Sequence, residues 1–177
     1  METTTAVLDR AVAAKSAVMR ADDALKNKAL CLAADFLIRD TEKILQANAT
    51  DVEKARSTIG EVMLDRLTLT AERIAAMADA VRAVAKLPDP VGRTLEQTTR
   101  PDGLEISKVS VPFGVIGIIF ESRPNVTSDA AALTLKSGNV CVLRGGKESI
   151  CSNMAIAAAF RDALQTVGLP ENAVNLI

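Results

Sequence analysis

Val115-Ile116-Gly117-Ile118-Ile119-Phe120 and, further on, Val140-Cys141-Val142-Leu143 are the two stretches that decide the fold. Both are unbroken apolar runs rich in β-branched side chains, the pattern of a strand covered on both faces. Between them Val126 to Ser137 reads as a helix that stops at Gly138-Asn139. After the second run, Glu148 to Val167 places Ile156, Phe160, Ala163 and Val167 on one side, with Gly168 as its stop and Pro170 beyond. Ala173 to Ile177 opens a third apolar strand. The alternation strand, helix, strand, helix, strand predicts an α/β fold with a parallel sheet. Three strands leave a sheet edge open, so the chain is expected to be part of a longer protein.

Upstream of these runs, Thr94 to Arg100 and Leu104 to Val111 flank Pro101-Asp102-Gly103, a turn sequence, and predict a β-hairpin. Leu104 and Ile106 share one parity and Val109 and Val111 the other. Either a bulge sits near Lys108 or the arm changes the face it buries. Residues 88–93, PDPVGR, read as a linker. Residues 1–87 read as helices. Their apolar stripes are Val7, Ala11, Ala14 and Val18; then Leu25, Ala29, Leu32 and Phe36, with Asp22 or Asp23 as N-cap. A third helix starts at Thr41 with Ile44, Ala47 and Val52 or Ala55 inward, and Lys43, Asp51 and Lys54 outward. Thr70 caps a fourth, with Ile74, Met77, Val81 and Val84 inward and Glu72 in its positive first turn. The expected organisation is a helical part at 1–87, a linker and hairpin at 88–111, and a sheet part at 112–177.

Composition narrows the chemistry. There is no His among the 177 residues, which excludes a Ser-His-Asp triad, a Cys-His pair and His-ligated zinc within the chain. Cys31, Cys141 and Cys151 match no metal spacing, so no metal is expected. Trp and Tyr are absent and the net charge is −1, which speaks against nucleic acid and anionic membranes as partners. No apolar run is long enough to span a bilayer and no secretory leader is visible, so a cytoplasmic protein is expected.

Two blocks, Phe120-Glu121-Ser122-Arg123-Pro124-Asn125-Val126 and Leu143-Arg144-Gly145-Gly146-Lys147-Glu148, joined by Lys136-Ser137-Gly138-Asn139, resemble the γ-glutamyl phosphate reductases, a branch of the aldehyde dehydrogenase superfamily. Asp89 to Arg93 and Pro101 to Leu104 share the likeness. The resemblance implies a Rossmann-like, NADPH-binding sheet of which this chain holds the first half. It also implies reduction of L-glutamyl 5-phosphate to L-glutamate 5-semialdehyde with release of phosphate, a step of proline biosynthesis. The nucleophilic cysteine is implied to lie beyond Ile177, in a catalytic domain that is absent here. The isolated chain is therefore expected to be inactive, a nucleotide-binding or assembly fragment at most. A homo-oligomer formed through the hairpin is implied for the full-length form.

The candidate site residues follow the two parallel strands, where open α/β sheets place ligands. The resemblance gives Asn125 the catalytic role of donating to an oxyanion; its residue type equally suits a helix N-cap. Arg123 can meet the acyl phosphate, a cofactor phosphate, or only Glu121. Arg144 is implied to contact the cofactor ribose and its 2′-phosphate, or it is simply an exposed charge. Gly145 and Gly146 permit a tight turn near the cofactor. Glu148 is either a ribose ligand or a helix-start acid. Lys136 reads as a cation at a helix end. Cys141 and Cys31 read as packing residues, and the helix start beside Cys151 is expected to lower its pKa.

Overall fold

The computed structural model describes residues 3–177. Helix α1 (Thr4–Met19) starts at Thr3, whose hydroxyl accepts the Ala6 N–H, and buries Val7, Ala11, Ala14 and Val18 as expected. Helix α2 (Asp23–Arg39) is capped by Asp22, which accepts the Leu25 N–H at 2.7 Å. Its buried face differs from the expected stripe. Lys26, Ala29, Leu30, Ala33, Ala34 and Leu37 are buried, and Leu25, Leu32 and Phe36 only partly so. The reason is that α2 is covered by three helices, α5 (Ala71–Ala85), α6 (Asn125–Lys136) and α7 (Ile150–Thr166), and so needs a wider arc than one stripe.

Helix α3 (Thr41–Ala55) buries Ile44 and Ala55 but also Asn48 and Asp51. Asp51 was expected on the solvent face. It is 2% exposed because it accepts the Cys151 and Ser152 N–H groups, at 3.2 and 2.7 Å, at the start of α7. Helix α4 (Glu61–Leu67) was not expected; it is too short to show a stripe. Helix α5 follows the cap at Thr70, which accepts the Arg73 N–H, and buries Ile74, Met77 and Val81.

Two lysines are inside. Lys26, 1% exposed, pairs with Asp89 Oδ2 at 2.6 Å and so ties the linker to α2. Lys136 is also buried, and does more than face a helix end. It donates to Asp23 Oδ1 and Asn27 Oδ1, both at 2.6 Å, and to the Ala85 carbonyl at 3.2 Å, which uses all three ammonium hydrogens.

The hairpin pairs β1 (Thr94–Thr99) with β2 (Glu105–Val109) in antiparallel register, Gln97 opposite Ser107. Gly103 takes φ +83°, which the turn demands. The bulge is at the Lys108 end but on the other arm: Thr94 pairs with Val109 and Glu96 with Lys108, leaving Leu95 as the extra residue. Every residue of both arms is exposed.

The parallel sheet has the order β3 (Val115–Ile119), β4 (Val140–Arg144), β5 (Val174–Leu176), with Val115 opposite Val140 and Cys141 opposite Val174. The crossover helices α6 and α7 pack against each other and against the sheet, and α1 packs on the sheet as well. β4 is therefore buried from Val140 to Leu143. The expectation that β3 is buried on both faces fails. It is an edge strand, with Gly117 and Ile119 exposed. The four helix–strand junctions lie close to the expected positions, and Gly168 ends α7 with φ +80°.

Candidate functional site

Asn125 opens α6 just beyond the carboxyl end of β3. It does not cap the helix through its side chain. The Val126 and Thr127 N–H groups go to the Arg123 and Pro124 carbonyls at 3.0 Å each. Instead its carboxamide Nδ2 donates to Asp129 Oδ2, one turn along, at 3.2 Å. Burial pushes the Asp129 carboxyl above its ordinary pKa, and the bond from Asn125 works against that shift.

Asn125, Asp129 and Arg123 line a cleft of about 510 Å³ together with Asp65 and Arg66 of α4 and Arg73 of α5. Three arginines thus share a cleft with one carboxamide, and they are not equivalent. Arg73 is held on the wall: it donates to the Asp65 and Thr68 carbonyls at 2.5 and 2.6 Å and to Asp65 Oδ1 at 2.9 Å. It pins the α4–α5 connection that forms one wall. Arg123 approaches Glu121 only to 4.0 Å, and its buried Nε has no partner among the described residues. Arg66 makes no ion pair among the described residues. Arg66, and Arg123 through its unpartnered Nε, are therefore able to meet an anion. Sequence reading missed Asp65, Arg66, Arg73 and Asp129. The four-residue spacing of Asn125 and Asp129 was a usable signal; for Arg66 there was none, because α4 itself left no pattern.

Arg144, the last residue of β4, lies in a second hollow of about 550 Å³ lined also by Thr4, Gly145, Lys147, Ile150 and Ile177. Arg144 and Lys147 are exposed and make no ion pair with another described residue. Gly145 and Gly146 have a packing reason. A Cβ on Gly145 would stand 2.2 Å from Asn153 Nδ2, and one on Gly146 would stand 2.2 Å from Ser122 Oγ. Glu148 Oε2 accepts the Ser122 hydroxyl at 2.8 Å, and this bond, with a backbone N–H, holds its carboxyl below the ordinary range. The bond joins the loop after β3 to the loop after β4.

None of the three cysteines lines the Asn125 cleft. Cys141 is buried in β4 and burial pushes its thiol up to about 11. Cys31 is exposed, not packed as expected. The Cys151 pKa moves opposite to expectation: Asp51, hydrogen-bonded at the same helix start, raises it. The carboxylate outweighs the helix terminus.

A family model described as the aldehyde dehydrogenase family matches residues 2–177. The chain belongs to the aldehyde dehydrogenase family. Among curated aldehyde dehydrogenase relatives it is 52% identical over 177 residues to the γ-glutamyl phosphate reductase of Streptococcus suis, covering the whole of this chain and 43% of that protein. It is 51% identical over 174 residues to that of Opitutus terrae, covering 98% of this chain and 41% of that one. The solved γ-glutamyl phosphate reductase of Thermotoga maritima superposes with a TM-score of 0.93 at 44% identity, over 97% of this chain and 42% of that one. The enzyme of Saccharomyces cerevisiae gives 0.92 at 31%, over all of this chain and 46% of that one. The α/β fold, with helices, a hairpin and a three-stranded parallel sheet, is thus that of an aldehyde dehydrogenase in part. The chain spans about two fifths of the length of the curated relatives it matches.

Proposed function

We propose that this segment is the amino-terminal part of an NADPH-dependent reductase that converts L-glutamyl 5-phosphate to L-glutamate 5-semialdehyde and releases phosphate. The observation that carries the reading is the placement of a half-buried Asn125 carboxamide in a cleft with Arg66, which makes no ion pair among the described residues, and Arg123, whose buried Nε has no partner there. That donor set fits an acyl phosphate: the amide donates to the oxygen on which negative charge grows, and Arg123 pairs with the departing phosphate. The attacking thiolate comes from outside these residues, since no cysteine here reaches the cleft. The 177 residues alone are accordingly inactive in this reading.

Bound NADPH would supply the hydride. The free cations of the second hollow fit its phosphates: Arg144, with Lys147 beside it, suits a 2′-phosphate, and the Gly145–Gly146 turn keeps the backbone close. Glu148 accepts the Ser122 hydroxyl through Oε2, and its carboxylate is the acceptor offered to a ribose hydroxyl. In the full-length form the exposed hairpin docks on another subunit.

Asn125→Ala in full-length reductase carrying this segment tests the reading. The expected loss is about 100-fold in kcat, as for one oxyanion donor, with folding and NADPH binding intact. Unchanged turnover would remove Asn125 from the mechanism.

A further inference from the structure

The Asn125 amide can present either its nitrogen or its oxygen to the cleft. The two ends are almost the same size, and only the nitrogen end helps an oxyanion. The choice is made by the partner. Asp129 is the partner that the structure supplies: it lies one helical turn on, lines the same cleft, and takes Nδ2 at 3.2 Å. An ionised carboxylate can only accept, so it selects the NH2 end and rejects Oδ1. One Nδ2 hydrogen is held and the second stays free for the substrate oxygen. No hydrogen bond among the described residues holds Asn125 Oδ1, so without Asp129 nothing would fix the amide. Asp129 also carries a cost. It is a half-buried acid whose only side-chain bond among the described residues is to Asn125, and a negative charge near a developing oxyanion is unfavourable. A residue serving the fold alone would be better neutral.

We infer that Asp129 is a positioning residue: it orients the Asn125 carboxamide so that an N–H faces the reacting carbonyl oxygen. This rests on the catalytic reading of Asn125. Its effect belongs in the rate of the acyl step and not in substrate affinity, because Asp129 acts through the amide.

The test uses Asp129→Ala, Asp129→Asn and Asn125→Ala in full-length reductase carrying this segment. Asp129→Ala is expected to lower kcat roughly 30-fold with KM for the acyl phosphate changed by less than about threefold. Asp129→Asn can accept the same N–H through its own Oδ1 and is expected to restore kcat to within about fivefold of the parent. Unchanged kcat in Asp129→Ala, a loss confined to KM, or an Asp129→Asn enzyme as slow as Asp129→Ala would each overturn the inference. A slow Asn125→Ala beside a fast Asp129→Ala removes only the positioning role; full turnover in both removes the catalytic reading as well. Should Asp129→Ala not fold, the side-chain amide resonances of Asn125 in the unsubstituted chain give the answer. They are expected to move as Asp129 titrates, and resonances that stay still through that titration would sink the inference.

Discussion

Ser122 and Glu148 sit in different loops, and the 2.8 Å bond between them ties the Asn125 end of the sheet to the Arg144 end; Thr127 Oγ1, at 3.0 Å from Asn153 Oδ1, makes a second link between the starts of α6 and α7. The energetic sign of the Ser122–Glu148 bond can be read from the carboxyl. The Ser122 hydroxyl, then a backbone N–H at the helix start, hold the Glu148 pKa below its ordinary value, and burial opposes them. A depressed folded-state pKa stabilises the fold fully above the unfolded-state value, and that contribution is lost as pH falls through the folded value. Ser122→Ala removes the largest cause. The Glu148 carboxyl carbon should then titrate at higher pH by NMR, and the acid limb of the stability curve should become shallower. An unmoved titration would show that the loops are not joined this way in solution. Gly146 is required at the same point, because any Cβ there would enter the space of the Ser122 hydroxyl.

Among elements, the start of α7 depends most on a distant residue. Asp51 of α3 accepts the Cys151 N–H, the Ser152 N–H and the Ser152 hydroxyl, the last two at 2.7 Å. One turn earlier, Asn48 donates to the Leu67 carbonyl at 2.8 Å and accepts the Leu69 N–H at 2.7 Å. Together they fix α7 and the turn after α4, which carries Asp65 and Arg66 to the cleft. Asp51→Ala would leave buried donors unpaired, at an expected cost of about 2–4 kcal/mol. Urea denaturation should show it as a lower midpoint with unchanged slope, and a loss under about 0.5 kcal/mol would mean that α7 holds its own start. The same network shows where sequence reading stops. The parallel strands, α6, α7 and the stripe of α1 were legible because their signals are local: β-branched runs, a period near 3.6 and Gly stops. Asp51 was not, since a charged residue on a helix defaults to solvent, and its partners lie a hundred residues away. At the cleft, Asn125 and Arg123 were found through a motif, whereas Arg66 and Arg73 enter only through tertiary packing of α4 and α5.

At the scale of the whole molecule, the sheet is covered unevenly. β4 is enclosed, but β3 has a strand on one side only. Around it stand Phe113, 93% exposed, Ile119, 82%, and Val111, 71%. The run Val115–Phe120 therefore has the composition of an enclosed strand without the enclosure, which is why its burial was misjudged. An open edge with unpaired backbone groups beside bare apolar side chains is a template for another strand. The 177-residue chain is expected to self-associate with rising concentration, as measured by sedimentation velocity. Ile119→Lys places a charge on the edge and should return the population to monomer while leaving the melting temperature nearly unchanged. The hairpin is the competing surface, since Leu95 and Ile106 are also exposed. Ile106→Lys separates the two: if it abolishes association and Ile119→Lys does not, the hairpin drives assembly and the edge of β3 is inert. If neither substitution changes the sedimentation profile, the association surface lies outside both.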